Sequence, residues 1–466
     1  MDMTDIAFLF LFLPAVFIAA ALKSKWKNYA LLLLSLFFYA CGSPVYFMLF
    51  IAGITVNVLL AYVIQALRTR CRIFAVFVLA AGIGLDAGCL FYYKYFDFVT
   101  ENVNIVFGTT FGARGILLPL GISFFTFKAI SLLADVFSGK ITLKKNPVHG
   151  ALYLSFFSQI VSGPICRYGD FFSGKADFYR GGEKFVTGFV KKVLLADVLG
   201  LIVEEIFAAE LSTTTPAYLW LGSICYSLRL YYDFSGYSDM AIGIGEMCGF
   251  SCMENFNYPY MTASVSGFWR RWHITLGAWF RDYVYIPMGG SRVNSKIRLY
   301  FNLFVVWLLT GIWHGASGRF IFWGLLYFLV IAAEKALKIP DKIHTKAGRV
   351  VYRLFVLLFI NFQWVIFNSQ SLRSGLRYIG HMFLSAGGEL ANQRTAVLIG
   401  EYWPFILAAI VFAFPVIPKL RSILSGNERR ERIGSVIMAV VLCMLFIWAV
   451  SFVAAGQNNP FLYGNF

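Results

Sequence analysis

Charged residues are scarce in this sequence. Only 14% of its 466 residues are Asp, Glu, Lys or Arg, whereas average soluble chains carry about 25%. Hydrophobic residues make up 59% of the chain, and 49 residues are Phe. A soluble protein of this length could not bury so much apolar surface, and bulky aromatic side chains suit positions that face lipid or the membrane interface. The composition therefore excludes a soluble globular enzyme and predicts an integral membrane protein.

Acidic residues are the scarcer of the two charge types. The chain has 24 Asp and Glu against 40 Lys and Arg, for a net charge of +16. We interpret the excess through the positive-inside rule, by which Lys and Arg collect in cytoplasmic loops and fix orientation. A second interpretation is attraction of an anionic partner, either lipid headgroups or a phosphorylated cofactor. There is no soluble basic domain, so we do not expect nucleic acid as a partner.

Metal-binding and nucleophile motifs are also missing. The eight cysteines include no CxxC pair, and Cys248 and Cys252 have no His or Cys cluster beside them to complete a metal-ligand set. No nucleophile elbow of the serine-hydrolase type is present. We therefore predict no metal site, no disulfide and no bound cofactor.

Long apolar runs are abundant. The first, 6–22, is followed by a cluster of lysines, which predicts a retained first helix with its N-terminus outside. The later runs cover 29–51, 53–66, 74–93, 185–208, 217–232, 298–315, 319–333, 350–368, 401–418 and 435–455. Several reach the length of about 20 residues that a spanning helix needs, and we predict about eleven or twelve transmembrane helices. The basic segment 419–432 is expected in the cytoplasm, and no internal repeat of the kind found in many transporters is evident.

Two central regions, 115–170 and 250–292, differ from the apolar runs because they carry many polar residues, Gly and Pro. Irregular backbone at membrane depth is tolerated only inside protein or beside a water-filled cavity. We expect short, re-entrant or interfacial helices here that build a funnel. The whole chain, 1–466, is predicted to be one membrane domain with a motif-bearing core, 115–330, and C-terminal helices, 350–455.

His314 is the strongest candidate for chemistry. It lies 16 residues after Arg298, which corresponds to about 24 Å of straight helix and places it deep in the bilayer. An ionisable group at that depth suggests a function, although a neutral imidazole that packs helices together is the alternative. We favour function because Gly311, Gly315 and the following Ala leave room for a ligand, while Trp313 can shape a tunnel wall. The other three histidines, His149, His344 and His381, lie near polar loops and are expected at the solvent or membrane interface.

Other polar residues in the two central regions and around them are less decisive, and most of them allow two interpretations. His273 follows Arg270, Arg271 and a Trp, and is either interfacial or functional. These arginines and Arg281 either anchor at lipid phosphates or bind the phosphates of a cofactor. The stretch 233–239 either lines a cavity or caps a helix, and Asp135 and Glu246 are expected to pair with basic residues.

Seven segments, in this order, resemble the membrane-bound O-acyltransferase family, and specifically its bacterial branch for alginate acetylation and teichoic acid D-alanylation. They are Leu118–Phe127, Ser158–Ile165, Tyr232–Ala241, Asn255–Tyr260, Phe268–Ile274, Phe280–Gly290 and Leu309–Ala316. The closing Asn459–Tyr463 resembles the alginate-acetylation type, but the ending Gly464-Asn-Phe466 is less aromatic and basic than is usual there.

The resemblance implies an all-α polytopic membrane protein whose helices form a ring around a membrane-crossing funnel. It matches His314 to the catalytic histidine and His273 to the second polar position of the family. We assign the substrate tunnel or donor-binding surface to Trp313, Trp269, Trp272, Arg270, Arg271, Arg281, Asp282, Asp233 and Ser235.

The implied activity is transfer of an acyl group, with acetyl preferred, from a cytoplasmic thioester to a hydroxyl outside the membrane. Acetyl-coenzyme A is the expected donor, with an acyl-carrier protein as the other source. The expected acceptor is an extracytoplasmic partner protein or a cell-surface polysaccharide, and the location is a bacterial plasma membrane. The alternatives are D-alanyl transfer to teichoic acid, a transporter or flippase in which His314 relays protons, and a non-catalytic scaffold for a secreted partner.

Overall fold

A computed structural model describes residues 2–384, 388–457 and 459–462, and regular structure within those ranges is helical throughout. The α-helices are α1 Leu13–Ala21, α2 Ser24–Gly42, α3 Phe47–Arg70, α4 Arg72–Leu90, α5 Phe96–Phe107, α6 Ile122–Ser138, α7 Val148–Ser155, α8 Tyr168–Phe171, α9 Phe178–Val190, α10 Val198–Ala208, α11 Pro216–Met247, α12 Val265–Trp269, α13 Ile274–Phe280, α14 Lys296–His314, α15 Gly318–Leu337, α16 Ile339–Lys342, α17 Lys346–Asn368, α18 Leu372–His381, α19 Gln393–Phe412, α20 Val416–Leu424 and α21 Glu428–Ala454. Wider π-helical turns occur at Phe8–Phe12, Phe91–Tyr95, Lys191–Asp197 and Arg281–Tyr285, and short 3₁₀ turns at Pro44–Tyr46, Phe157–Gln159, Leu211–Thr213 and Pro259–Met261.

Seven helices of the described chain are long and apolar enough to cross a membrane. They cover Pro44–Arg70, Arg72–Phe107, Lys296–His314, Gly318–Leu337, Lys346–Asn368, Gln393–Phe412 and Glu428–Ala454. The all-α, multi-pass membrane fold is thereby confirmed. The count of eleven or twelve spans stays a prediction, as do the single-domain organisation and the outward N-terminus.

Two local predictions differ from the structure. The apolar run 29–51 is divided, because α2 ends at Gly42 and α3 begins only at Phe47, after a turn that starts with Pro44. Proline lacks the N–H that a continuing helix would need. The polar stretch 233–239 lies in the interior of α11. The idea that it caps a helix was therefore wrong.

The central helix α11 packs on α9 by direct backbone contact. A Cβ added to Gly188 would lie 2.5 Å from the Gly236 carbonyl oxygen, and one added to Gly243 would lie 2.5 Å from that of Gly181. The glycines are seven residues apart on each helix, so they form one seam. Small residues at such a seam permit the close approach of helices that membrane proteins use for packing. The two expected ion pairs are present. Asp135 pairs with Lys140 at 3.5 Å, and Glu246 pairs with Arg180 at 3.6 Å.

Helices α14 and α15 form a second tight pair. A Cβ on Gly311 would lie 2.5 Å from the Phe320 carbonyl oxygen, and one on Gly315 would lie 2.4 Å from the Phe320 ring. Gly324 approaches the Trp307 carbonyl in the same way, at 2.5 Å. The expectation that Gly311 and Gly315 leave room for a ligand was therefore wrong, because α15 occupies that space.

Candidate functional site

His314 is the last residue of α14, and only 2% of its surface is exposed. Aromatic rings surround it. Its ring centroid lies 4.9 Å from that of Trp323, 5.0 Å from Trp313 and 5.3 Å from Phe367, each in an edge-on arrangement. Trp323 belongs to α15 and Phe367 to α17, so three membrane helices together enclose the imidazole. The depth of His314 in the bilayer stays a prediction.

His273 lies on the other side of Trp313, with its ring centroid 5.8 Å from that indole. It is 1% exposed, which excludes the interfacial, solvated interpretation of this residue. It caps α13 with a left-handed backbone, φ +46°, a conformation that a residue with a Cβ adopts at some cost and that is often found at functional sites. Lys94 also reaches Trp313, with its Nζ 5.7 Å from the centroid of the indole ring.

Asn255 fixes the orientation and the tautomer of His273. Its Oδ1 accepts the backbone N–H of Thr275 at 3.2 Å and the Thr275 hydroxyl at 2.9 Å, and lies 3.2 Å from His273 Nδ1. Since a backbone N–H only donates, this oxygen is the acceptor, and His273 Nδ1 must carry the hydrogen that it receives. In the neutral ring the acceptor nitrogen is then Nε2.

Glu334 positions the segment that leads to His273. Its carboxylate, 3% exposed, accepts the backbone N–H of Val265 at 2.6 Å and of Ser266 at 2.9 Å. It also accepts the hydroxyls of Ser266 at 2.6 Å and Tyr352 at 2.7 Å. A carboxylate at the first turn of α12 satisfies N–H groups that the helix itself leaves unpaired. The anchor of this short helix is therefore on α15, the helix that contacts His314.

The three predicted tunnel tryptophans lie at different distances from the histidines. Trp313 contacts both, as described above. Trp269 is linked to His314 through Trp323, since the Trp269 and Trp323 ring centroids are 5.6 Å apart. Trp272 is fully buried and stacks against Phe268, with ring centroids 5.4 Å apart. Trp313 is thus a wall residue of the site, and the other two form the layer behind it.

The predicted arginines do not converge on the histidines. Arg270 is exposed, and Arg271 donates to the Asn257 carbonyl at 3.3 Å. Arg281 pairs with Asp282, Nε to Oδ1 at 2.7 Å, and Arg167 pairs with the same carboxylate. Burial by itself would raise the pKa of Asp282, but the hydrogen bond from Arg281 and the charge of Arg167 outweigh it and hold that pKa below its usual value.

Asp233 belongs to a separate buried cluster. Lys192 Nζ lies 2.8 Å from the Asp233 carboxylate and 2.7 Å from that of Asp197. The second Asp233 oxygen accepts the backbone N–H of Leu462 at 3.0 Å, so the cluster ties the chain end to the core. Ser235, also buried, is on the same helix. Phe234, next to Asp233 in α11, connects this cluster to the two-histidine site, because its ring centroid lies 4.7 Å from that of His273. Tyr463 and Gly464–Phe466, part of the predicted C-terminal motif, lie outside the described residues.

Sequence reasoning missed four residues that build the site: Lys94, Asn255, Trp323 and Glu334. Asn255 lies within the segment Asn255–Tyr260, which by itself does not indicate its role. Trp323 lies in the apolar run 319–333, and Lys94 and Glu334 directly follow the runs 74–93 and 319–333, where a single residue has no periodic signal. The arrangement offers a buried imidazole, a second imidazole of fixed tautomer and an aromatic enclosure that excludes water. Such a site suits proton removal from a hydroxyl during group transfer.

These features are those of an enzyme that acylates hydroxyl groups within a membrane, and the comparison with known proteins agrees. Residues 145–376 match the model of MBOAT, the membrane-bound O-acyltransferase family. This chain belongs to that family, is an O-acyltransferase and crosses the membrane several times, as predicted.

Three relatives show which members of the family this chain is similar to. It is 34% identical to a probable alginate O-acetylase of Pseudomonas putida, over 98% of this chain and 99% of the relative. It is 31% identical to a peptidoglycan O-acetyltransferase of Helicobacter pylori, over 98% and 96%. A teichoic acid D-alanyltransferase of Bacillus subtilis is 32% identical over 46% of this chain and 58% of the relative.

Proposed function

We propose that this enzyme takes an acetyl group from acetyl-coenzyme A at the cytoplasmic face of a bacterial plasma membrane. It transfers the group to a hydroxyl on the opposite side, carried by a partner protein or a cell-surface polysaccharide. The observation that carries the proposal is His314, buried at the end of a membrane span beside a second histidine. The names of the two relatives that match nearly the whole chain support acetyl as the group transferred.

His314 acts as the general base. It takes the proton of the acceptor hydroxyl as the oxygen attacks the thioester carbonyl. The new C–O bond forms, the C–S bond breaks, and the proton held by His314 passes to the leaving thiol. The atoms and charges balance without a metal. The edge-on rings of Trp313, Trp323 and Phe367 fix the imidazole and keep water from the thioester.

His273 orients the acceptor. Its Nδ1–H is held by Asn255, so the neutral ring presents Nε2 as a hydrogen-bond acceptor. A hydroxyl that donates to Nε2 is aligned before it reaches His314. Stabilisation of the developing oxyanion by His273 would instead require an additional proton on Nε2.

The position of His314 suits transfer across the membrane. Helix α14 has 19 residues from Lys296 to His314, a length of roughly 27 Å, which approaches the hydrocarbon thickness of about 30 Å. If the basic start of α14 is cytoplasmic, as the positive-inside rule predicts, His314 lies towards the outer side. The donor then enters from the cytoplasm and the acceptor from outside, and they meet at the imidazole.

The test is transfer of labelled acetyl from acetyl-coenzyme A to an added acceptor protein or glycan, by purified wild type and His314→Ala. The matched control is His344→Ala, since His344 is exposed. We expect transfer by the wild type and the control, and none by His314→Ala at equal thermal stability. Wild-type transfer by His314→Ala would refute the proposal. Uptake or lipid flipping in liposomes without any thioester would favour a transporter instead.

D-alanyl transfer to teichoic acid is the second candidate, and the Bacillus subtilis relative is the observation in its favour. Competition between labelled acetyl-coenzyme A and a D-alanyl carrier protein separates the two. Use of the carrier protein alone would establish the second candidate and exclude the first.

A further inference from the structure

A lysine from the N-terminal third of the chain reaches the candidate active site. Lys94 lies on the π-helical turn Phe91–Tyr95, between α4 and α5. Its Nζ donates to the backbone carbonyl of Trp313 at 2.7 Å and to the Ser123 hydroxyl at 3.1 Å. It also lies 5.7 Å from the centroid of the Trp313 ring. Residue 94 is outside the segment that matches the family model, 145–376.

The neighbouring residue makes a parallel contact. The Tyr95 hydroxyl donates to the Ile312 carbonyl at 2.9 Å. The last four carbonyls of any α-helix lack partners within the helix, and here two of them, on consecutive residues just before His314, receive side-chain donors. Basic side chains at a helix C-terminus also interact favourably with the helix dipole. A wider π-helical turn at this point lets Lys94 and Tyr95 face the same helix end, and such turns are frequent at functional sites.

We propose that Lys94 is a positioning residue of this enzyme: it holds the end of α14 so that His314 and the Trp313 wall face the acceptor. The inference rests on the proposed function and deepens it. The Lys94 amine also donates to Ser123 on α6, so this one nitrogen links the α4–α5 turn to both α6 and α14. The two contacts are not equivalent, because the Lys94 donor is a basic amine and the Tyr95 donor is a neutral hydroxyl.

The test compares four variants in the acetyl-transfer assay. Lys94→Met keeps the length of the side chain and removes its donor, Lys94→Arg keeps a cationic donor, and Tyr95→Phe removes the neutral contact alone. Lys175→Met is the matched control, since Lys175 is exposed. We expect Lys94→Met to lower kcat by about tenfold, as expected for the loss of one strong hydrogen bond. The KM for acetyl-coenzyme A should stay unchanged, because Lys94 is proposed to act on the end of α14 and not on the donor.

Recovery of most of the kcat in Lys94→Arg, and a smaller loss in Tyr95→Phe, would support positioning by the amine. A merely structural role would lower the amount of folded enzyme without this split between kcat and KM, and Arg would not rescue it. If wild type transfers acetyl in a His314-dependent way and Lys94→Met matches its kcat, the inference is refuted and the proposed function stands. If wild type transfers no acetyl group, the proposed function fails, and the inference fails with it.

Discussion

Replacement of Glu334 should reveal how strongly the short helix α12 depends on a distant carboxylate. The carboxylate is 3% exposed and accepts four hydrogen bonds, two of them from backbone N–H groups of Val265 and Ser266. Hydrogen bonds to a charged group contribute about 1.5–3 kcal/mol each, and a buried donor left without a partner costs a similar amount. Glu334 is therefore expected to contribute more than any exposed acidic residue.

Two substitutions at this position differ in their predicted cost. Glu334→Gln turns one oxygen into an NH₂ group, so one of the two backbone N–H groups faces another donor. We expect it to lower the free energy of unfolding by about 1.5–3 kcal/mol. Glu334→Ala leaves both N–H groups buried without an acceptor and is expected to cost about 3–6 kcal/mol.

The assay is thermal unfolding in detergent, and the readout is the labelling of buried thiols that unfolding exposes. Cys225 and Cys248, both 0% exposed, are such thiols. The matched control is Glu101→Gln. Glu101 is exposed, and ion pairs of exposed acidic residues contribute only about 0–1 kcal/mol. Acyl transfer should fall together with stability in the Glu334 variants, because α12 leads directly to His273. A Glu334→Gln protein that unfolds at the wild-type temperature would refute the reasoning.

Three other contacts, those of Asn255, Gly311 and Lys192, are tested by substitution. Asn255→Leu removes the acceptor that fixes His273 and should lower kcat by roughly one to two orders of magnitude. Asn255→Asp, which keeps the oxygen, should lose less, and equal rates for both variants would contradict the tautomer assignment. Gly311→Ala should separate α14 from α15 and lower both thermal stability and kcat, whereas Gly84→Ala, where a Cβ meets nothing within 4 Å, should leave both unchanged or raise stability slightly. Lys192→Met leaves two buried carboxylates without their cationic partner. It should destabilise the protein by about 3–5 kcal/mol, measured in the same unfolding assay. A stable Lys192→Met protein would mean that the cluster is already neutral.

The paired histidines show where local sequence reasoning succeeds and where it ends. The depth of His314 follows from counting residues along one apolar helix, and the structure places this residue at that helix end. The roles of Gly311 and Gly315 do not follow from counting. A glycine that accommodates a ligand and one that accommodates a neighbouring helix have the same local signature, and the distance to Phe320 decides between them.

The sequence by itself determined the class of this protein. Its composition and its apolar runs require a lipid environment, because no water-soluble fold could bury them. The ordered motifs determined the family and singled out the two histidines. Composition and the order of motifs do not depend on folding, and each apolar run or motif is a continuous segment, so all of these signals are present in the unfolded chain.

Only the tertiary structure decided how those histidines are held. Asn255 and His273 are 18 residues apart, Val265 and Glu334 are 69 apart, and Lys94 and Trp313 are 219 apart. Each pair meets because helices pack in a particular order and at a particular depth, and no local pattern specifies that meeting. Buried polar groups must find partners within the protein, and packing alone determines which partners lie within reach.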